Sequence, residues 1–230
     1  MVDSALVALA AVLLDWLLGE PRRWHPLVGF GRLTKWLEGR LYAPSRPAGI
    51  LGVALLVLPL AALAGWLGAQ PGITGILFSV WALYFALGHR SLHDHVAPIL
   101  HALQRGDEPA ARQAVSRIVS RDPEAIDIVP AACETVLENG NDGVFGALFW
   151  FACAGPAGAV LYRLANTLDA MWGYRNERYE HFGWAAARLD DLLNWLPARL
   201  TALTYAALGN ARQALACWRR QAPAWDSPNA

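Results

Sequence analysis

Carboxylates and amides recur at helical spacing in two stretches of this 230-residue chain. In the first, Glu134, Glu138 and Asp142 follow one another every four residues, with Asn139 and Asn141 between them. Hard oxygen donors of this kind suit Mg²⁺, which takes one or two carboxylates plus substrate phosphate. A solvated acidic helix face accounts for the spacing equally well.

The second stretch runs from Asn166 to Arg199, NTLDAMWGYRNERYEHFGWAAARLDDLLNWLPAR. Asn166 and Asp169 stand at i, i+3, with Gly173 one turn beyond, so they share a helix face. Tyr174, Arg175, Asn176, Glu177, Arg178 and Tyr179 set two arginines between tyrosines, a composition suited to planar capture of phosphate or carboxylate. Interfacial anchoring explains the aromatics almost as well. Farther on, Arg188 can meet Asp191 at i+3, and Asp190 lies four residues before Asn194. A structural salt bridge would use Arg188 and one aspartate, leaving the second carboxylate and Arg199 without a reason. Ionisable side chains beside hydrocarbon-like sequence cost at least about 2.5–3.5 kcal/mol at bilayer depth and mark a functional site by default.

Other chemistries find less support. His89, His93 and His95 with Asp94 (HRSLHDH) give two imidazoles at i, i+4, but without the glutamate of H-E-x-x-H a polar helix start at an interface is the better reading. Arg90 and Asp94 could simply pair. There is no G-K-S or G-K-T triplet and no G-x-S-x-G, so a P-loop and a serine nucleophile elbow are excluded. Cys133, Cys153 and Cys217 are odd in number and widely spaced, which argues against disulfides and structural zinc. Basic and acidic residues balance at 19 each, so nothing in the overall charge points to a nucleic-acid partner.

The elements that must carry these groups are read from the apolar runs. Residues 48–69 hold 22 positions without a charge and residues 71–88 hold 18 more; about 20 cross a bilayer. A third candidate, Gly143 to Ala165, contains only Arg163, and shorter ones cover Ser4 to Leu18, split by Asp15, and Leu192 to Leu208. A soluble bundle with buried central helices could produce single runs of this kind, but two joined by Ala69-Gln70-Pro71 are hard to bury in so small a protein. The expected fold is therefore all-α: a polytopic integral membrane protein with four or five embedded helices, forming a single domain over residues 1–230. Its first helix is not a cleavable signal, because it has no basic n-region, and is expected to stay as an anchor.

Arginines and one lysine dominate residues 20–46, which places that link in the cytoplasm; Trp24 reads as an interfacial anchor. Residues 89–142 form the soluble portion, with amphipathic helices expected at His93–Gln104, at Glu108–Ser120 behind Asp107 as N-cap, and at Pro123–Glu138 behind Asp122. Gly155-Pro156-Ala157-Gly158 interrupts the third apolar run. A straight crossing would separate Asn166 from Asp142, whereas a re-entrant turn at Gly155 would put both on one face, and the re-entrant form is expected here.

The run from Asn166 to Thr201 resembles the signature of the CobD/CbiB family, the adenosylcobinamide-phosphate synthases of cobalamin biosynthesis. The resemblance extends back through Leu13-Leu14-Asp15, His25-Pro26, Arg90-Ser91-Leu92, Ser120-Arg121-Asp122 and Glu134 to Asp142-Gly143, covering nearly the whole chain. It implies an inner-membrane enzyme that joins a carboxylate of adenosylcobyric acid, a corrinoid, to the amine of aminopropanol or aminopropanol phosphate. Forming that amide is uphill in water, so ATP with Mg²⁺ is the expected means of activation. On this resemblance Glu134, Glu138, Asp190 and Asp191 would be catalytic and Glu138 and Asp142 would hold metal. Substrate would be bound by Asn139, Asn166, Asp169, Tyr174, Arg175, Asn176, Arg178, Arg188, Asn194 and Arg199, with Arg175 and Arg178 taking phosphate. Other corrin-pathway enzymes would be partners for residues 89–142. Two departures stand out: Gly140-Asn141 fills the gap between the family's E-N and D-G, and the chain ends at Ala230 where the family pattern runs on into a further C-terminal segment. The rival reading is a non-catalytic membrane sensor or corrinoid-binding protein that keeps the pocket without the chemistry.

Overall fold

A computed structural model of the chain describes residues 4–21, 25–118 and 127–222. Eleven α-helices occur among them: α1 (Ser4–Leu18), α2 (Pro26–Leu41), α3 (Arg46–Gly68), α4 (Ile73–Ala86), α5 (His89–Gln104), α6 (Glu108–Val115), α7 (Ile128–Gly140), α8 (Gly146–Trp172), α9 (Tyr179–Phe182), α10 (Trp184–Leu208) and α11 (Ala211–Gln221). A π-helical turn, Asn141–Phe145, joins α7 to α8. The helices start where local chemistry says they should. Asp107 accepts a hydrogen bond from Ala110 N at the head of α6 and His25 one from Leu27 N at the head of α2, each followed by an early proline. The expected helix from Pro123 begins at Ile128 among the described residues; Asp122 and Pro123, like Trp24, lie outside them.

Two hairpins form the centre. In the first, α3 and α4 run out and back around the turn at Ala69–Gly72. In the second, α8 folds on itself, because Ala154 (φ −140°, ψ 18°) and Gly155 (φ 58°, ψ −146°) leave the helical region. Only glycine tolerates the second of these conformations without strain. The break reverses the chain: Asn166 and Asp142, which a straight helix would hold about 36 Å apart, are in hydrogen-bond contact. The expected re-entrant turn is therefore present. Its tip packs beside the tip of the first hairpin, where Pro156 Cγ comes within 2.6 Å of the position a Cβ on Gly68 would occupy.

Among the described residues three helices are long and apolar enough to cross a membrane by length and composition: Arg46–Gly68, Ile73–Gln104 and Ile128–Trp172, with Ser4–Leu18 apolar but shorter. The second runs through the bend at Leu87 and the third through the hairpin turn. Only a third of the α3 window is buried; Leu51, Leu55, Leu58, Leu63 and Trp66 point outward, as do Leu6, Leu9, Leu13 and Leu17 on α1. Burying helix faces of this kind against the rest of a soluble bundle is what the fold does not do, and an apolar exterior of this extent suits hydrocarbon.

Three apolar clusters hold the chain. Val7, Ala11, Leu83, Leu87, Phe151 and Tyr162 tie α1 and α4 to the second hairpin. Phe30, Leu56, Leu164, Trp172 and Phe182 tie α2 and α3 to its returning arm. Ile99, Ala111, Val115, Ile128 and Ala131 make a separate small core between α5, α6 and α7. Asp15, buried on α1, accepts from Arg90 N at 2.8 Å and so caps α5, which explains a carboxylate inside an apolar run.

Candidate functional site

At the open end of the second hairpin a polar group assembles from α10, the two hairpin arms and the π-helical turn. Asn194 stands at its centre. Its Oδ1 accepts from Asn141 Nδ2 (2.8 Å) and from the Tyr162 hydroxyl (2.7 Å), and its Nδ2 donates to Asp190 Oδ2 (3.0 Å). Asn141 is held on every side, since it also donates to Asp142 Oδ1 and accepts from Thr201 Oγ1. Asn166 Nδ2 lies 3.3 Å from Asp142 Oδ2 and 3.4 Å from Asp190 Oδ1, bridging two carboxylates from different elements. Buried amides satisfied this completely fix the geometry of the acids they touch.

The π-helical turn is what makes the group possible. One extra residue per turn breaks the four-residue rhythm of Glu134, Glu138 and Asp142, swinging Asn141 and Asp142 toward α10. Asp142 joins the cluster, while Glu138 is exposed and Glu134 half-buried. Asn139 turns its amide back to Thr135 O of its own helix.

Asp190 and Asp191 take different roles from adjacent positions. Burial pushes Asp190 up to about 7, with the Asp142 and Asp169 carboxylates adding to the rise and the Asn194 and Asn166 amides opposing it. Burial also raises Asp191, which Arg188 and Arg175 pull down. Arg188 Nη1 is 3.1 Å from Asp191 Oδ2, the i, i+3 pair expected from spacing. Asp169 faces the same acids, within electrostatic reach of Asp191 and Asp142.

Other expected site residues are placed elsewhere. Arg178 binds Glu38, with Nη2 at 2.8 Å and Nε at 3.2 Å from Glu38 Oε1. The Tyr179 hydroxyl reaches the same oxygen and Trp172 Nε1 donates to the other. Asn176 caps α9 by accepting from Tyr179 N, and Tyr174 is exposed. Arg199 lies over the ring of Trp195, 4.3 Å from its centroid, and donates to the Trp195 carbonyl. On α5, Arg90 pairs with Asp94 at 2.9 Å, and Trp16 stacks on His89.

Reasoning from spacing missed Tyr162, Thr201 and Glu38. Tyr162 meets Asn194 from α8, Thr201 donates to Asn141 sixty residues away, and Glu38 lies 140 residues from Arg178; no local period carries such pairs. Among the described residues no three histidine, cysteine or acidic side chains converge as a metal cage. Asp142, bridged to Asp190 through the Asn166 amide, is a hard carboxylate of the kind that Mg²⁺ takes when phosphate supplies the rest.

A family model described as CobD/Cbib protein matches residues 8–230. The chain is 58% identical to the cobalamin biosynthesis protein CobD of Stutzerimonas stutzeri, over 98% of this chain and 76% of the relative. It is 55% identical to the protein of the same name from Chromobacterium violaceum, over all of this chain and 77% of that one. A probable cobalamin biosynthesis protein CobD of Pyrococcus furiosus is 42% identical over 86% of this chain and 71% of its own length. No solved structure matches the chain.

Proposed function

The chain belongs to the CobD/CbiB family of cobalamin biosynthesis proteins, and from that premise we propose that it forms the amide between a carboxylate of adenosylcobyric acid and the amine of aminopropanol or its phosphate. The observation that carries this reading is the pair of carboxylates, Asp142 and Asp190, bridged by Asn166 and fixed through Asn194 at the mouth of the second hairpin.

Amide formation from a free acid needs an activated acyl group and an unprotonated amine. With ATP as co-substrate, a corrinoid carboxylate oxygen would bond to the γ-phosphorus as the bond to ADP breaks and ADP leaves, giving an acyl phosphate. The amine nitrogen then bonds to the acyl carbon, the carbon–oxygen bond to phosphate breaks, and the ammonium proton leaves to a base. Asp190, with its pKa near 7, suits that base at neutral pH. Arg188 and Arg175, both within reach of Asp191, can receive the anionic groups of the substrates. Mg²⁺ held by Asp142 and the substrate phosphate would offset phosphate charge.

The reading places α1, α3, α4 and the two arms of the α8 hairpin in the cell membrane, the exposed leucines facing lipid and the polar cluster opening to the cytoplasm. The test is amide formation by the purified, detergent-solubilised chain from adenosylcobyric acid and aminopropanol phosphate, with and without ATP and Mg²⁺, followed by mass spectrometry. Product that depends on nucleotide and metal supports the synthase. A chain that binds the corrinoid and makes no product under any condition is a binding protein instead.

A further inference from the structure

Between α2, α3, α4 and the returning arm of α8 lies a groove of about 390 Å³ with hydrocarbon walls. Leu33, Leu63 and Trp81 on its lining are 42%, 49% and 46% exposed, so it opens outward among the apolar helices. Among the described residues its lining contains a single ionic group, Arg163. Arg163 Nε is shut off from solvent and has no hydrogen-bond partner. Glu20 and Asp142 are near enough for their charge to be felt, yet among the described residues neither closes an ion pair with it. A guanidinium N–H buried without an acceptor is unfavourable until an anion completes it.

Polarity runs along the groove. Arg163 Nη2 lies 4.0 Å from the Cβ position of Gly88, just past the end of α4, which puts the cation at the Ala86 end. Phe78 marks the other end, about 12 Å away along the same helix. The cationic end is therefore on the side of the polar cluster, and the trough descends from it toward the hairpin tips. We infer that this groove binds an anionic phospholipid of the surrounding bilayer, its phosphate on Arg163 and one acyl chain along Leu60, Leu63 and Leu67. A free phosphate would leave the trough unused. A zwitterionic lipid would bring a second cation toward Arg163.

The inference rests on the membrane placement proposed above, which carbonate extraction of membranes tests by itself. The lipid site is tested by native mass spectrometry of the delipidated chain in detergent, offered phosphatidylglycerol or phosphatidylcholine. One phosphatidylglycerol per chain should be retained at concentrations where phosphatidylcholine is not, and an excess of inorganic phosphate should leave it bound. Arg163→Gln should weaken retention by at least about tenfold, as loss of a charge-assisted contact implies. Leu63→Trp, which fills the trough and keeps the arginine, should do the same. Retention unchanged in either variant, or displacement by phosphate, overturns the site. A chain that stays in carbonate-washed membranes and holds no phosphatidylglycerol overturns the lipid site alone, and one that is extracted overturns the placement.

Discussion

Asn194 Oδ1 accepts hydrogen bonds from Asn141 and from Tyr162 at once, 2.8 and 2.7 Å away, joining α10 to the π-helical turn and to the returning arm of the hairpin. Asn194→Ala strands an amide and a hydroxyl in a buried place, each costing about 1–3 kcal/mol. The expected result is a thermal midpoint lower by at least about 4 °C in detergent, with amide formation lost. Tyr162→Phe removes one donor and leaves Asn194 its other, so a smaller fall is expected. Equal stability in wild type and Asn194→Ala would show that the cluster does not hold the hairpin.

Asp190 should set the pH dependence. Because its ionised form is the base, kcat/KM should rise with pH to a plateau above about 7. Asp190→Asn should abolish that limb together with activity. Stability runs the other way: the folded pKa lies above the ordinary 3.8, so the native state binds the proton more tightly and loses stability as pH rises from about 4 to 7, then levels off. The Tm of Asp190→Asn should be flatter across that window. Added Mg²⁺ should move the activity limb to lower pH, since a cation favours the carboxylate; a limb that ignores both the mutation and the metal belongs to another group.

Glu38 holds Trp172, Arg178 and Tyr179, and so tethers the segment that carries Arg175 between α8 and α9. Glu38→Gln removes the charge that Arg178 seeks. Faster trypsin cleavage after Arg175 and Arg178 is expected, along with a raised KM for substrate. Cleavage at the wild-type rate would mean that the segment is held by other contacts.

The turn at Gly155 is a position where a side chain is not tolerated. A non-glycine residue at φ 58°, ψ −146° is strained by about 1–3 kcal/mol. Gly155→Ala and Gly155→Val should both lower Tm and turnover, valine more than alanine. Wild-type turnover in Gly155→Val would mean that the reversal survives without glycine.

Much of this arrangement was legible in sequence. Chargeless runs gave α3 and α4 within two residues at most boundaries, the glycine–proline interruption gave the hairpin, and i, i+3 and i, i+4 spacing gave Arg188 with Asp191 and Asp190 with Asn194. What stayed hidden depends on contacts across the fold. A π-helical turn has no signature in a 3.6-residue period, so the contact of Asn141 with Asn194 could not be read from the four-residue rhythm. Arg178 carried the composition of a phosphate ligand, and only the approach of α2 reveals Glu38 as its counter-ion. Arg163 looked like an interruption in an apolar run, where the fold makes it the polar end of a groove.

The two hairpin tips lie side by side, at Gly68 and Pro156. Neither excursion, residues 47–88 or 143–162, contains a charged side chain. Both hairpins can therefore enter the bilayer from the same face as closed units with their backbone groups paired, and no ionised group has to be carried across for them. Insertion of this part of the chain would then carry no ionised group into the bilayer, while the acids, amides and arginines of the site would remain on the side from which the hairpins enter.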